Sequence, residues 1–207
     1  MKKYSILLFC IIAFYSCKNT ITVPDSSKIV SKDSTELVKK KSLNLNAVQS
    51  IFTIADTFQT QHNNNITLSS FAGKPTVVGM IFTNCGYACP RLTSDMKNIA
   101  NKLKDNKRKV NFVLISFDTE RDTPAQLQKF AKQMELDSNW ILLHGSEQVV
   151  RTLSVLLNVQ FEKDADGNFS HSNLISVLDK DGILSFQKEG LEADHTETVD
   201  KINELIK

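Results

Sequence analysis

Thr76-Val77-Val78-Gly79-Met80-Ile81-Phe82-Thr83-Asn84-Cys85-Gly86-Tyr87-Ala88-Cys89-Pro90 runs from a continuous apolar, β-branched segment into a loop with two thiols and on to a proline. The first half reads as a buried strand, because a strand covered on both faces needs no polar alternation. Pro90 suits the first turn of a helix, where its missing N–H is not needed. Leu92, Met96, Ile99, Ala100 and Leu103 follow at helical spacing and predict a helix from Pro90 to about Lys104. Strand, thiol loop and helix are thus consecutive. A helix start presents free N–H groups and a positive dipole end, which lower the pKa of a nearby thiol, so Cys89 is expected to be the more activated. Cys85 and Cys89 can meet as a disulfide, as two soft ligands on one metal, or as two packed thiols, and their spacing leaves all three open.

The rest of the chain extends this unit on both sides. Upstream, residues 48–55 and 66–68 flank a polar tip at 59–65 and predict a β-hairpin laid ahead of the main sheet. Downstream, residues 104–109 form a charged turn, and 110–117 are a second apolar strand that stops at Asp118. Thr123-Pro124-Ala125-Gln126 combines a cap, a first-turn proline and a Gln, so a helix begins there with Leu127, Phe130, Ala131 and Met134 on its buried face. A short strand at 140–143, the turn and cap Gly145-Ser146, and an amphipathic helix over 149–157 come next. Two strands, 174–178 and 183–186, are joined by Asp179-Lys180-Asp181-Gly182, and an Asp194-x-x-Glu197 cap opens a C-terminal helix. This order describes an α/β domain with a mixed central sheet flanked by helices.

Composition limits the function classes. With 41% hydrophobic and 23% charged residues the chain can build one core and does not read as disordered. Met1-Lys2-Lys3 and the apolar run 6–14 read as an export signal over residues 1–16, too short to span a membrane. Residues 18–41 hold six Lys against three acidic residues and read as a solvated tether. Residues 42–207 hold 17 Lys and Arg against 20 acidic residues, so the basic total belongs to signal and tether, and nucleic acid is not an expected partner.

Three segments in order carry a family resemblance: Cys85-Gly86-Tyr87-Ala88-Cys89-Pro90, then Ile115-Ser116-Phe117-Asp118-Thr119-Glu120-Arg121-Asp122-Thr123-Pro124, then His171 ahead of 174–182. Together they resemble the Sco/SenC family over residues 47–207. The resemblance implies a thioredoxin-like fold and a copper-binding protein, Cu(I) or Cu(II), that helps assemble the copper site of cytochrome c oxidase. Its ligands here are Cys85, Cys89 and His171, and its partner is a copper-accepting oxidase subunit or another copper or thiol protein. Gly86 stands where the family often has Pro, and Tyr87 where an acidic residue is common. Ser16-Cys17 similarly resembles a bacterial lipobox, which implies a lipidated Cys17, a tether at 17–41 and a Sco/SenC domain at 42–207. The protein would then sit on the outer side of the cytoplasmic membrane, with Cys85 and Cys89 as its two free thiols.

The donor set agrees with copper, since two thiolates favour Cu(I) and an added imidazole lets the site hold Cu(II). A Cys85–Cys89 disulfide would exclude metal, making redox state a gate. His62, His144 and His195 read as solvated, surface or capping residues. Asp118 reads either as an outer neighbour of the metal or as a partner of Arg121, and Asp122, Thr123 and Pro124 as helix-start residues. A thiol–disulfide oxidoreductase using the same two cysteines is the rival reading. A peroxide-reducing site would draw on Thr83 and Arg91. None of the prolines, Pro24, Pro75, Pro90 and Pro124, stands just before the 174–178 strand as a thioredoxin-type cis-proline would, which weakens a general disulfide-reductase reading.

Overall fold

The computed structural model describes residues 49–207; the export signal, Cys17 and the tether lie outside the described residues. In chain order the elements are β1 (Thr57–Thr60), β2 (Asn65–Thr67), β3 (Thr76–Ile81), α1 (Ala88–Lys102), β4 (Asn111–Ser116), α2 (Pro124–Gln133), β5 (Trp140–His144), α3 (Glu147–Leu156), β6 (Phe161–Lys163), β7 (Phe169–His171), β8 (Leu174–Leu178), β9 (Leu184–Glu189) and α4 (Thr196–Leu205).

β3 is buried at all six positions, as its unbroken apolar character requires of a central strand. It runs parallel to β4, with Val78 opposite Val113, and antiparallel to β8, with Val77 opposite Val177. β5 lies parallel beyond β4, β9 antiparallel beyond β8, and the sheet order is β2-β1-β5-β4-β3-β8-β9. This is the mixed, helix-flanked sheet expected from the sequence. α1 covers β3, and Gly79 makes the contact close: a Cβ there would lie 2.8 Å from Met96 Sδ and 3.3 Å from Leu114 Cδ2. Thr123 and Ser146 cap α2 and α3 by accepting from the N–H groups of Gln126 and Val149, each cap stabilising by about 1 kcal/mol.

Several local expectations are corrected. The first hairpin strand lies at Thr57–Thr60, because Ser50 accepts from the Phe52 N–H and turns residues 51–53 into a 3-10 segment. Gln61, expected at the tip, is buried and brackets β5, donating to the Trp140 carbonyl and accepting from the Leu142 N–H. The hairpin therefore belongs to the main sheet through β1–β5 pairing rather than standing ahead of it. α1 begins at Ala88, so Pro90 is third in the helix and Cys89 lies inside it. Residues 164–170, expected to be a loop ahead of His171, are the turn and part of the second strand of a separate two-stranded sheet of β6 and β7. At the C-terminus His195, not Asp194, occupies the cap position of α4. Its ring is buried 3.6 Å from Asp95 of α1 rather than exposed.

Candidate metal centre

The thiol loop leaves the carboxyl end of β3 and enters α1 beside the end of β4, the edge where parallel strands expose loops and helix starts together. Cys89 is fully buried and its sulfur accepts from the Phe82 N–H at 3.4 Å. Cys85 stands just outside the helix and its sulfur accepts from the Cys89 N–H at 3.4 Å. Both thiols are free. His171 comes from the end of β7, with Nε2 3.7 Å from Cys89 Sγ. Its Nδ1 lies 3.1 Å from the Ser172 carbonyl. A carbonyl only accepts, so Nδ1 carries the proton and Nε2 presents a lone pair toward the sulfur. The two Sγ atoms and a His171 ring nitrogen all lie within 4.8 Å of one another. The structure thus gathers the three residues singled out in the sequence, while His62, His144 and His195 join no such group among the described residues.

The order of thiol acidity is the reverse of the expectation. A hydrogen bond from the Cys89 thiol, assisted by the N–H groups of Cys89, Tyr87 and Ala88, brings the Cys85 thiol down to about 4 against the opposing effect of partial burial. Donating that bond, together with burial, pushes the Cys89 thiol up. The helix register adds to this: with α1 starting at Ala88, Cys85 stands just outside the helix and its sulfur accepts from the Cys89 N–H.

An apolar wall backs the site. His171 lies 5.0 Å from the Phe117 ring and edge-on at 5.9 Å to Phe82, and Phe169 packs on both phenylalanines. Asp118 pairs with Arg121 and is not among the three clustered residues, which favours the second of its two sequence readings. Asp122, expected merely to start a helix, is buried and ties the ends of β3 and β4 together. It accepts from the Thr83 N–H at 2.8 Å, from the Thr83 hydroxyl, and from Ser116 Oγ at 2.6 Å. Burial raises its pKa, opposed by those hydrogen bonds. Thr83 is therefore engaged by Asp122, and Arg91 by Tyr87 and Glu192.

Residues 44–207 match the SCO1/SenC family profile. The chain belongs to the SCO1/SenC family. This SCO1/SenC protein is 40% identical over 93 residues to the SCO1 protein homolog of Bacillus subtilis, a match covering 44% of this chain and 48% of that one. The chain spans about half the length of the curated relatives it matches. Bradyrhizobium japonicum ScoI, solved with copper bound, is 25% identical with a TM-score of 0.63, covering 72% of this chain and 96% of that one. BsSco, a member of the Sco family of cytochrome c oxidase assembly proteins in which a disulfide switch was identified, is 27% identical with a TM-score of 0.65, covering 76% and 98%. The sheet and its helices are thus the thioredoxin-like fold of Sco structures.

The aromatic wall and the Asp122 brace were not foreseen in the sequence. In sequence Asp122 read only as a helix-start residue, because its partners Thr83 and Ser116 come from the ends of other strands.

Proposed function

We propose that Cys85, Cys89 and His171 hold one copper ion, and that the protein hands it to a copper-accepting subunit of cytochrome c oxidase or a similar copper or thiol protein. The observation that carries this reading is the approach of two sulfurs and a ring nitrogen to within 4.8 Å at the mouth of the thiol loop. The donor set suits the cargo: two soft sulfurs for Cu(I), with the imidazole extending the site to Cu(II). Cys85, held as a thiolate, provides a first anionic ligand at neutral pH, and Cys89 gives up its proton on loading. The aromatic wall keeps water from the sulfurs on one side.

An anaerobic titration of the reduced protein with Cu(I) and with Cu(II), against competing chelators, tests the proposal beside Cys85→Ser, Cys89→Ser and His171→Ala. One equivalent bound tightly, weakened by each substitution, is expected. Weak binding by the wild type would defeat it. A dithiol without copper would then favour the second reading, a thiol–disulfide oxidoreductase, for which the acidic Cys85 is the specific support. In the proposed setting the chain is exported and anchored through a lipid on Cys17, outside the cytoplasmic membrane. Mass spectrometry of the N-terminal peptide from the membrane fraction checks this, and an N-terminus beyond an unmodified Cys17 would exclude the anchor.

A further inference from the structure

We propose that Arg121 is a positioning residue that pins the His171-bearing hairpin to the end of β4, and thereby sets how much more strongly the site holds Cu(II) than it would with its thiols alone. The oxidation-state half of this rests on the copper reading above; the pinning does not.

The hairpin needs an external hold. β6 and β7 pair with each other and with no strand of the seven-stranded sheet, and an isolated two-stranded ribbon is marginal by itself. Yet His171, at the end of β7, must stay near Cys89 for its nitrogen to act as a ligand. Phe161 and Phe169 supply an apolar contact to Phe117, stacked at 5.1 Å and edge-on at 5.0 Å. Such faces slide more readily than they lock, because apolar attraction has little directionality.

Arg121 supplies the directional part. Its backbone N–H and its Nε both donate to Asp118, and a terminal guanidinium nitrogen donates to the Gly167 carbonyl in the hairpin turn. The same guanidinium lies 5.8 Å from the Phe169 ring. Asp118 is 1% exposed and sits just after β4, so the carboxylate is a fixed post rather than a swinging surface acid. Gly167 adopts φ +78, and a Cβ there would lie 3.4 Å from the guanidinium. One planar fork therefore spans from the rigid sheet to the turn of the ribbon, which a lysine's single ammonium cannot do with the same two partners. The other polar tie, Lys163 to Glu120 at 2.5 Å, joins two exposed chains and contributes little by comparison.

The consequence falls unequally on the two copper ions. Releasing the ribbon withdraws the imidazole and leaves both sulfurs where α1 and the thiol loop hold them. Two thiolates still suit Cu(I), whereas Cu(II) loses the nitrogen donor that makes the site acceptable to it. Arg121 acts through His171 and touches neither copper nor sulfur.

The test uses Arg121→Ala, Arg121→Lys and, as a control on the outer tie, Glu120→Ala, each checked for an unfolding midpoint near that of the wild type. Amide exchange is followed first in the copper-free protein. Residues 161–171 of Arg121→Ala should exchange at least about tenfold faster, with α1 and the seven-stranded sheet unchanged. Arg121→Lys, the variant to rely on should the alanine protein fold poorly, should move the same way, and Glu120→Ala should match the wild type. Cu(II) affinity of the Arg121 variants should then fall by about 10- to 100-fold while Cu(I) affinity stays within about twofold. Unchanged hairpin exchange overturns the pinning, and equal losses for both ions overturn the oxidation-state role. A wild type that binds neither ion defeats the copper reading and this second half together, and the exchange data still decide the first.

Discussion

At the residue scale the site is governed by the hydrogen bond between its two sulfurs. Cys85 is held near 4 and Cys89 above its ordinary value, so the pair carries a single negative charge across the neutral range. Iodoacetamide at pH 6 should therefore label Cys85 first, with the modified peptide identified by mass spectrometry, and preferential labelling of Cys89 would contradict the assignment. Cys89→Ala removes the donated hydrogen bond and should raise the pH at which Cys85 becomes reactive. Asp122 allows a second test. Asp122→Ala leaves the Thr83 N–H and the Ser116 hydroxyl without their acceptor, and should lower unfolding stability by about 2–3 kcal/mol in denaturant titration. Asp122→Asn can accept the same N–H and return a bond to the Thr83 hydroxyl, and should cost less. Because the folded pKa of Asp122 is raised, the native state holds the proton more tightly than the unfolded chain. That contribution is fully present below the ordinary aspartate value of 3.8 and is lost as pH rises through the raised value, so the stability of Asp122→Asn should decline less over that window.

At the element scale the close seat of α1 on β3 and the ribbon of β6 and β7 do different work. The first is rigid. Gly79→Ala puts a methyl group against Met96 Sδ and Leu114, and even with the Met96 tail giving way it should cost about 1–3 kcal/mol of stability, read from the denaturation midpoint. The second is held by its aromatic faces and by Arg121. Phe169→Ala, which removes a ring that touches Phe82, Phe117 and Phe161, should speed exchange in residues 161–171 without moving that of β3. α1 was legible because its apolar positions recur at helical spacing. Its start was misplaced because proline is a strong local signal, while the true first residue, Ala88, follows a Tyr87 with no side-chain cap to announce it. The ribbon was not legible at all: its strands are three residues each, too short for an alternating pattern to stand out.

At the scale of the whole molecule, Asn46–Lys207 is a compact unit containing every residue of the candidate site. A protein cut to that unit should unfold in one transition and bind copper as the full chain does, measured by calorimetry and chelator competition. The sequence by itself determined the central strands, the two capped helices α2 and α3, the thiol pair at a strand–helix junction, and, through motif order, the family and the three residues that the structure then brings together. These are matters of local periodicity, capping chemistry and spacing, which neighbours in sequence express directly. Only the tertiary structure decided which thiol is acidic, that His195 is buried against Asp95, that Asp118 belongs to Arg121, and that Asp122 joins the ends of two strands. For His195 and Asp122 the deciding partner is a group whose approach the chain order does not state; for Asp118 and the two thiols it is a sequence neighbour whose orientation the chain order leaves open. Asp122 lies 39 residues from Thr83, and His171 lies 82 from Cys89. The acidity of Cys85 depends first on the hydrogen bond from the Cys89 thiol, whose direction the spacing of the two residues does not set.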